Sequence, residues 1–74
     1  MTFDRITHDP NVMGGKACIR GLRVTVGTVL SLLATVPSRE RILELYPYLE
    51  MEDFDAALKY AAWRLSEHEE PLVA

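Results

Sequence analysis

The 74-residue sequence is short of several things, and each shortage removes a class of protein. Cys18 is its one cysteine, so no disulfide forms within the chain, and a lone thiol suits a reducing compartment better than a secreted scaffold. A small buried hydrophobe is the expected role of that residue. His8 and His68 are the two histidines, too few and too scattered around Cys18 to make a metal site or an activated thiol with its base and orienting group. No metal, no cofactor and no enzymatic activity are therefore expected. Long apolar runs are missing too: the longest, Val29 to Ala34, is interrupted by Ser31 and falls far below the roughly 20 residues that cross a bilayer. The opening Met1-Thr2-Phe3-Asp4-Arg5 lacks the basic and apolar blocks of a signal peptide, and Asp4 and Asp9 disfavour a mitochondrial presequence. The expected location is the cytoplasm, with no membrane partner. Cations are also scarce, 8 Lys and Arg against 11 Asp and Glu, and the net charge of −3 excludes a basic footprint spread over the whole domain.

What is present reads as one domain over residues 1–74, divided by texture. Residues 1–24 are extended and punctuated by glycine, residues 25–68 are helical, and residues 69–74 form a tail that begins with Glu69-Glu70-Pro71. In the first part, Phe3 to Ile6 and Cys18 to Val24 suit short strands, with turns at His8-Asp9-Pro10-Asn11 and Gly14-Gly15. Gly21 interrupts the second strand and predicts a bulge or a tight bend. Gly14-Gly15-Lys16 is not a nucleotide loop, because Ala17-Cys18 follow and no helix starts there.

Three helices follow. Thr25 caps the first, whose Val26, Val29, Leu30 and Leu33 repeat at helical spacing until Pro37 forbids continuation. Ser38 caps the second, which Pro47 closes. The third runs from about Met51 to about Glu67, with Met51, Phe54, Leu58, Ala61 and Leu65 on the face expected to be buried. Ala56, Tyr60 and Trp63 lie on another face. Spacing alone fits two placements, a subunit contact, which so small a core would welcome, or packing beneath the N-terminal strands; the first is the expectation, with Tyr60 and Trp63 helping to form a protein interface.

The break at Tyr46-Pro47-Tyr48-Leu49 between the second and third helices has the form of a helix-turn-helix. Glu50, Glu52, Asp53 and Asp55 crowd the start of the third helix, however, where they suit the helix dipole and oppose phosphate. Lys16, Arg20, Arg23, Arg39 and Arg41 are the better candidates for DNA backbone contacts, doubled in a dimer. The competing reading for Arg20 and Arg23 is structural ion pairing with Asp4, Asp9 or a helix carboxylate.

Three segments, taken together, resemble the domain-of-unknown-function family 433. They are Ile6-Thr7-His8-Asp9-Pro10, Gly14-Gly15-Lys16-Ala17-Cys18-Ile19-Arg20-Gly21-Leu22-Arg23-Val24, and Tyr46-Pro47-Tyr48-Leu49 followed by Asp53 to Ala61. Members usually carry Pro in place of Ala17 and Thr in place of Leu22. The resemblance implies a mostly α fold: a three-helix, homeodomain-like or winged-helix-like helix-turn-helix core behind a short N-terminal β element. It further implies an antitoxin, a homodimer that binds a PIN-like nuclease toxin and its own promoter DNA. A protein-interaction module that inhibits a nuclease without touching DNA is the alternative, suited by the net acidity.

Overall fold

In the computed structural model, which describes residues 3–66, the elements follow in the order β1 (Ile6–Thr7), β2 (Cys18–Ile19), α1 (Val26–Thr35), α2 (Arg39–Leu45) and α3 (Met51–Ser66). The fold is mostly α. Strands β1 and β2 pair antiparallel with Ile6 opposite Ile19 and Thr7 opposite Cys18, a shorter element than the alternation of the sequence suggests. A single 3-10 turn at Met13–Gly15 connects them. The Gly15 N–H closes it on the Val12 carbonyl at 3.0 Å, and just before it the Asp9 side chain accepts from the Asn11 N–H at 2.9 Å in a self-bonding turn. Residues 67–74, including His68 and the expected tail, lie outside the described residues.

Both predicted caps are made. The Thr25 hydroxyl accepts from the Thr28 N–H and the Ser38 hydroxyl from the Arg41 N–H, each at 3.1 Å, satisfying donors that the first helical turn leaves open. Gly21 proves to be the tight bend. Arg20 and Gly21 both have positive φ, 44° and 72°, and the Leu22 N–H closes the turn on the Ile19 carbonyl at 2.7 Å.

Ile19, Val29, Ile42 and Phe54 are fully buried and bring β2, α1, α2 and α3 to one centre, with Ile6, Val24, Val26, Leu49 and Ala57 around them. The buried face of α3 differs from the expected one. Phe54 is central, but Met51, Leu58 and Leu65 are exposed, and Asp53 and Ala57 are buried in their place. The helix is rotated toward the N-terminal element because a carboxylate, held by two arginines, occupies an inward position that hydrophobic periodicity assigns to solvent.

Candidate functional site

The electrostatic centre of the molecule is Asp53. Its carboxylate is fully buried and accepts four hydrogen bonds: Arg5 Nη1 at 2.8 Å, Arg20 Nε at 3.1 Å, Arg20 Nη2 at 3.0 Å and the Glu50 backbone N–H at 2.8 Å. The last is the reach-back half of a capping box at the start of α3. Arg5 also donates to Glu50 at 2.7 Å, and Arg20 Nη2 to the Tyr48 carbonyl at 2.8 Å. Burial pushes the Asp53 carboxyl up, but hydrogen bonds from Arg20, the Glu50 N–H and Arg5 outweigh it and hold the group below the ordinary carboxylate range. The same pairs raise both arginines, Arg5 chiefly through Glu50 and Arg20 through Asp53. The bonds of the Asp53 carboxylate are all made within the chain, while Arg5, Arg20 and Glu50 keep partial exposure. The cluster is a clamp joining the N-terminal element, the inter-helix break and α3.

That clamp decides the place of Arg20. Of the partners the sequence offers it, the helix carboxylate takes it, through two parallel bonds of the kind that make guanidinium–carboxylate pairs strong. Arg39 is held by Asp55 at 3.1 Å and lies over the Phe54 ring at 5.6 Å, and Arg41 reaches Glu44 at 3.0 Å within its own helix. Lys16 and Arg23 are exposed, with no carboxylate within 4.0 Å among the described residues. The five cations therefore do not form one patch of equal members. Three of them are engaged in ion pairs.

Tyr60 and Trp63 are half-buried and face Phe3, whose ring stands edge-on to Tyr60 at 5.4 Å and tilted to Trp63 at 5.5 Å. His8 Nε2 lies 3.1 Å from the Tyr60 hydroxyl. This is the placement beneath the N-terminal element. Cys18 is buried at 2 % exposure, and no group of three or more His, Cys, Asp or Glu residues among those described is arranged to hold a metal ion.

Two surfaces remain. Ala17, Val26, Leu30, Ala61 and Leu65 line a shallow groove between the start of α1 and the end of α3, with Lys16 and Arg64 at its rim. Along the outer side of α3 and the break before it, Tyr48, Met51, Leu58 and Leu65 are exposed. Among the described residues, no helix is long and apolar enough to cross a membrane.

The sequence profile of a protein family of unknown function, DUF433, matches residues 6–61, the stretch that holds Arg20, Glu50 and Asp53 of the clamp, though not Arg5, and all three helices up to Ala61. The chain belongs to the DUF433 family. It is 39% identical over 56 residues to an uncharacterized protein, y4eO, of Sinorhizobium fredii, a match covering 76% of this chain and 25% of that protein. A crystal structure of a DUF433 member from Anabaena variabilis superimposes with a TM-score of 0.75 at 31% identity, over 86% of this chain and 63% of the other. The chain thus spans about a quarter of y4eO and under two thirds of the crystallised relative.

Arg5 and Phe3 are the residues that sequence reasoning passed over. A signal for Arg5 existed: Arg5, Arg20 and Asp53 are opposite charges on elements that must meet if β1 and β2 pair and α3 packs against them.

Proposed function

We propose that this DUF433 domain is a non-catalytic assembly module of the antitoxin type, a homodimer that binds and silences a PIN-like nuclease toxin. The observation that carries the reading is the distribution of surface. Tyr48, Met51, Leu58 and Leu65 are left exposed on a small domain while Arg5, Arg20 and Arg39 are turned onto the chain's own carboxylates. Exposed apolar groups that follow one helix mark protein contacts. The groove lined by Val26, Leu30, Ala61 and Leu65 suits an apolar segment of the nuclease. The ionisable cluster supports the non-catalytic assignment, since Asp53 spends its bonding capacity on Arg5, Arg20 and Glu50 and offers nothing to a substrate.

Co-expression with the product of the neighbouring gene, which this reading expects to be a PIN-like nuclease, tests it. The two proteins should co-purify with the ribonuclease inhibited, and Leu30→Asp should release active nuclease while the variant stays folded. A nuclease that neither co-purifies nor loses activity refutes it.

Promoter binding is the second reading, favoured by Lys16 and Arg23, two exposed cations near the N-terminal element with no carboxylate in ion-pair range among the described residues. Phosphate contacts from these two, doubled by a dimer, would weaken steeply with salt. A mobility-shift titration with the upstream DNA should lose affinity on Lys16→Ala with Arg23→Ala. Unchanged binding by that double variant discards the patch.

A further inference from the structure

On the outer side of α3, Met51, Asp55, Leu58, Ala62 and Leu65 alternate steps of four and three, the spacing of a coiled-coil seam. At 3.6 residues per turn they fall within about 80° of arc. All five are exposed, the large apolar ones by 37% at Met51, 42% at Leu58 and 71% at Leu65. One flank of this seam is Phe54 and Ala61, turned toward the domain's own core. The other flank carries Glu52 and Lys59, exposed, seven residues apart and opposite in charge.

We propose that this seam is where two copies of the chain meet, α3 running antiparallel to α3 of the second copy about a twofold axis between Asp55 and Leu58. The inference rests on the homodimer in the reading above and gives it a surface. Charge complementarity selects the arrangement. In the antiparallel register, Glu52 of each copy faces Lys59 of the other, so the twofold axis makes two opposite-charge pairs from one sequence. The same register sets Met51 against Ala62 and Leu58 against Asp55 and brings Leu65 toward the partner's break before α3, where Tyr48 is 48% exposed, so the exposed apolar groups of the seam are covered. A parallel pairing brings Glu52 level with Glu52 and Lys59 level with Lys59, and supplies no opposite charge from the other flank. Asp55 does not veto burial, because its Oδ1 already accepts from Arg39 Nη1 at 3.1 Å and it enters the seam as half of a neutral pair. Glu52 is available to a partner: its ion-pair contact among the described residues is a 3.9 Å approach to Arg5.

A helix of 16 residues is about 24 Å long, so the contact is at the small end of specific interfaces and the dimer should be reversible, with Kd on the order of micromolar. Sedimentation equilibrium of the full chain, from about 1 to 500 µM, reads it. The native chain should dimerise and Leu58→Asp should be monomeric with unchanged far-ultraviolet circular dichroism. Ala62→Glu, at an exposed position, gives the same readout should Leu58→Asp fail to fold. Glu52→Lys and Lys59→Glu should each raise Kd about tenfold, and the double exchange should return it to within about threefold of native. A native chain that is monomeric throughout overturns this proposal and the homodimer together. A dimer that Ala62→Glu leaves intact, or charge variants whose combination does not restore affinity, overturns this surface and leaves the homodimer standing. Nuclease co-purification is a separate readout from either.

Discussion

Arg20 grips Asp53 through both carboxylate oxygens, Nε to Oδ1 at 3.1 Å and Nη2 to Oδ2 at 3.0 Å. The pair joins a turn of the N-terminal element to the first turn of α3, 33 positions apart in sequence. Arg20 adopts a φ of 44° to do so, a region that costs an ordinary residue about 1–2 kcal/mol. The strain is tolerated because the bidentate pair and the bond to the Tyr48 carbonyl depend on where that turn aims the side chain.

Replacement of Asp53 by Ala should lower unfolding free energy by about 2–3 kcal/mol, below the figure for a wholly buried pair, since both arginines retain access to water and can rehydrate. Urea denaturation measures it. A loss under about 0.5 kcal/mol, the size of an ordinary surface change, contradicts the clamp.

The clamp also sets an acid limit. Because the folded Asp53 carboxyl titrates below its unfolded value, its contribution is complete above about pH 5 and is lost as pH falls past the unfolded value near 4 and through the lowered folded one. Urea midpoints of the native chain should therefore fall from about pH 5 downward, and those of Asp53→Asn should fall less over the same range. Parallel acid limbs in the two proteins would assign the acid sensitivity to other carboxylates.

How much of this was legible depended on whether the signal was local. The caps at Thr25 and Ser38, the end of α1 before Pro37 and the interruption at Pro47 follow from backbone chemistry within a few residues, and each is where the sequence places it. The buried face of α3 was not legible from apolar spacing, because Met51, Leu58 and Leu65 repeat as regularly as a core stripe does. Nothing local says that Asp53 turns inward; that follows from Arg5 and Arg20, which arrive from a distant segment. The same kind of pairing divides the five candidate cations, since Arg20 and Arg39 pair with Asp53 and Asp55 while Lys16 and Arg23 have no carboxylate within 4.0 Å among the described residues. The expected strands shrank because the Arg20-Gly21 turn ends β2 at Ile19.

Gly21 has a φ of 72° with nothing within 4 Å of where a Cβ would stand. Gly21→Ala should therefore cost about 1 kcal/mol through backbone strain alone, with no steric clash to enlarge it. Thermal or urea unfolding reads the loss. Gly21→Asn should recover part of it, because asparagine tolerates the left-handed region better than alanine. Equal losses for Ala and Asn would point to something other than φ.

Trp63 separates the two placements that the helical pattern of Tyr60 and Trp63 left open. Its ring lies 5.5 Å from Phe3 and 6.0 Å from Tyr60, on the side of α3 that faces the N-terminal element and away from the Met51-Leu58-Leu65 seam. If it serves the monomer, Trp63→Ala should destabilise folding by about 1–3 kcal/mol, the range for a half-buried aromatic with ring neighbours, and leave the dimer dissociation constant unchanged. As the chain's one tryptophan it also reports on its own surroundings: Phe3→Ala should shift its emission to longer wavelength by opening the ring to water. A Trp63→Ala variant that keeps its stability and becomes monomeric would instead place the aromatic pair in the subunit contact, and the seam on the outer side of α3 would lose its claim to that role.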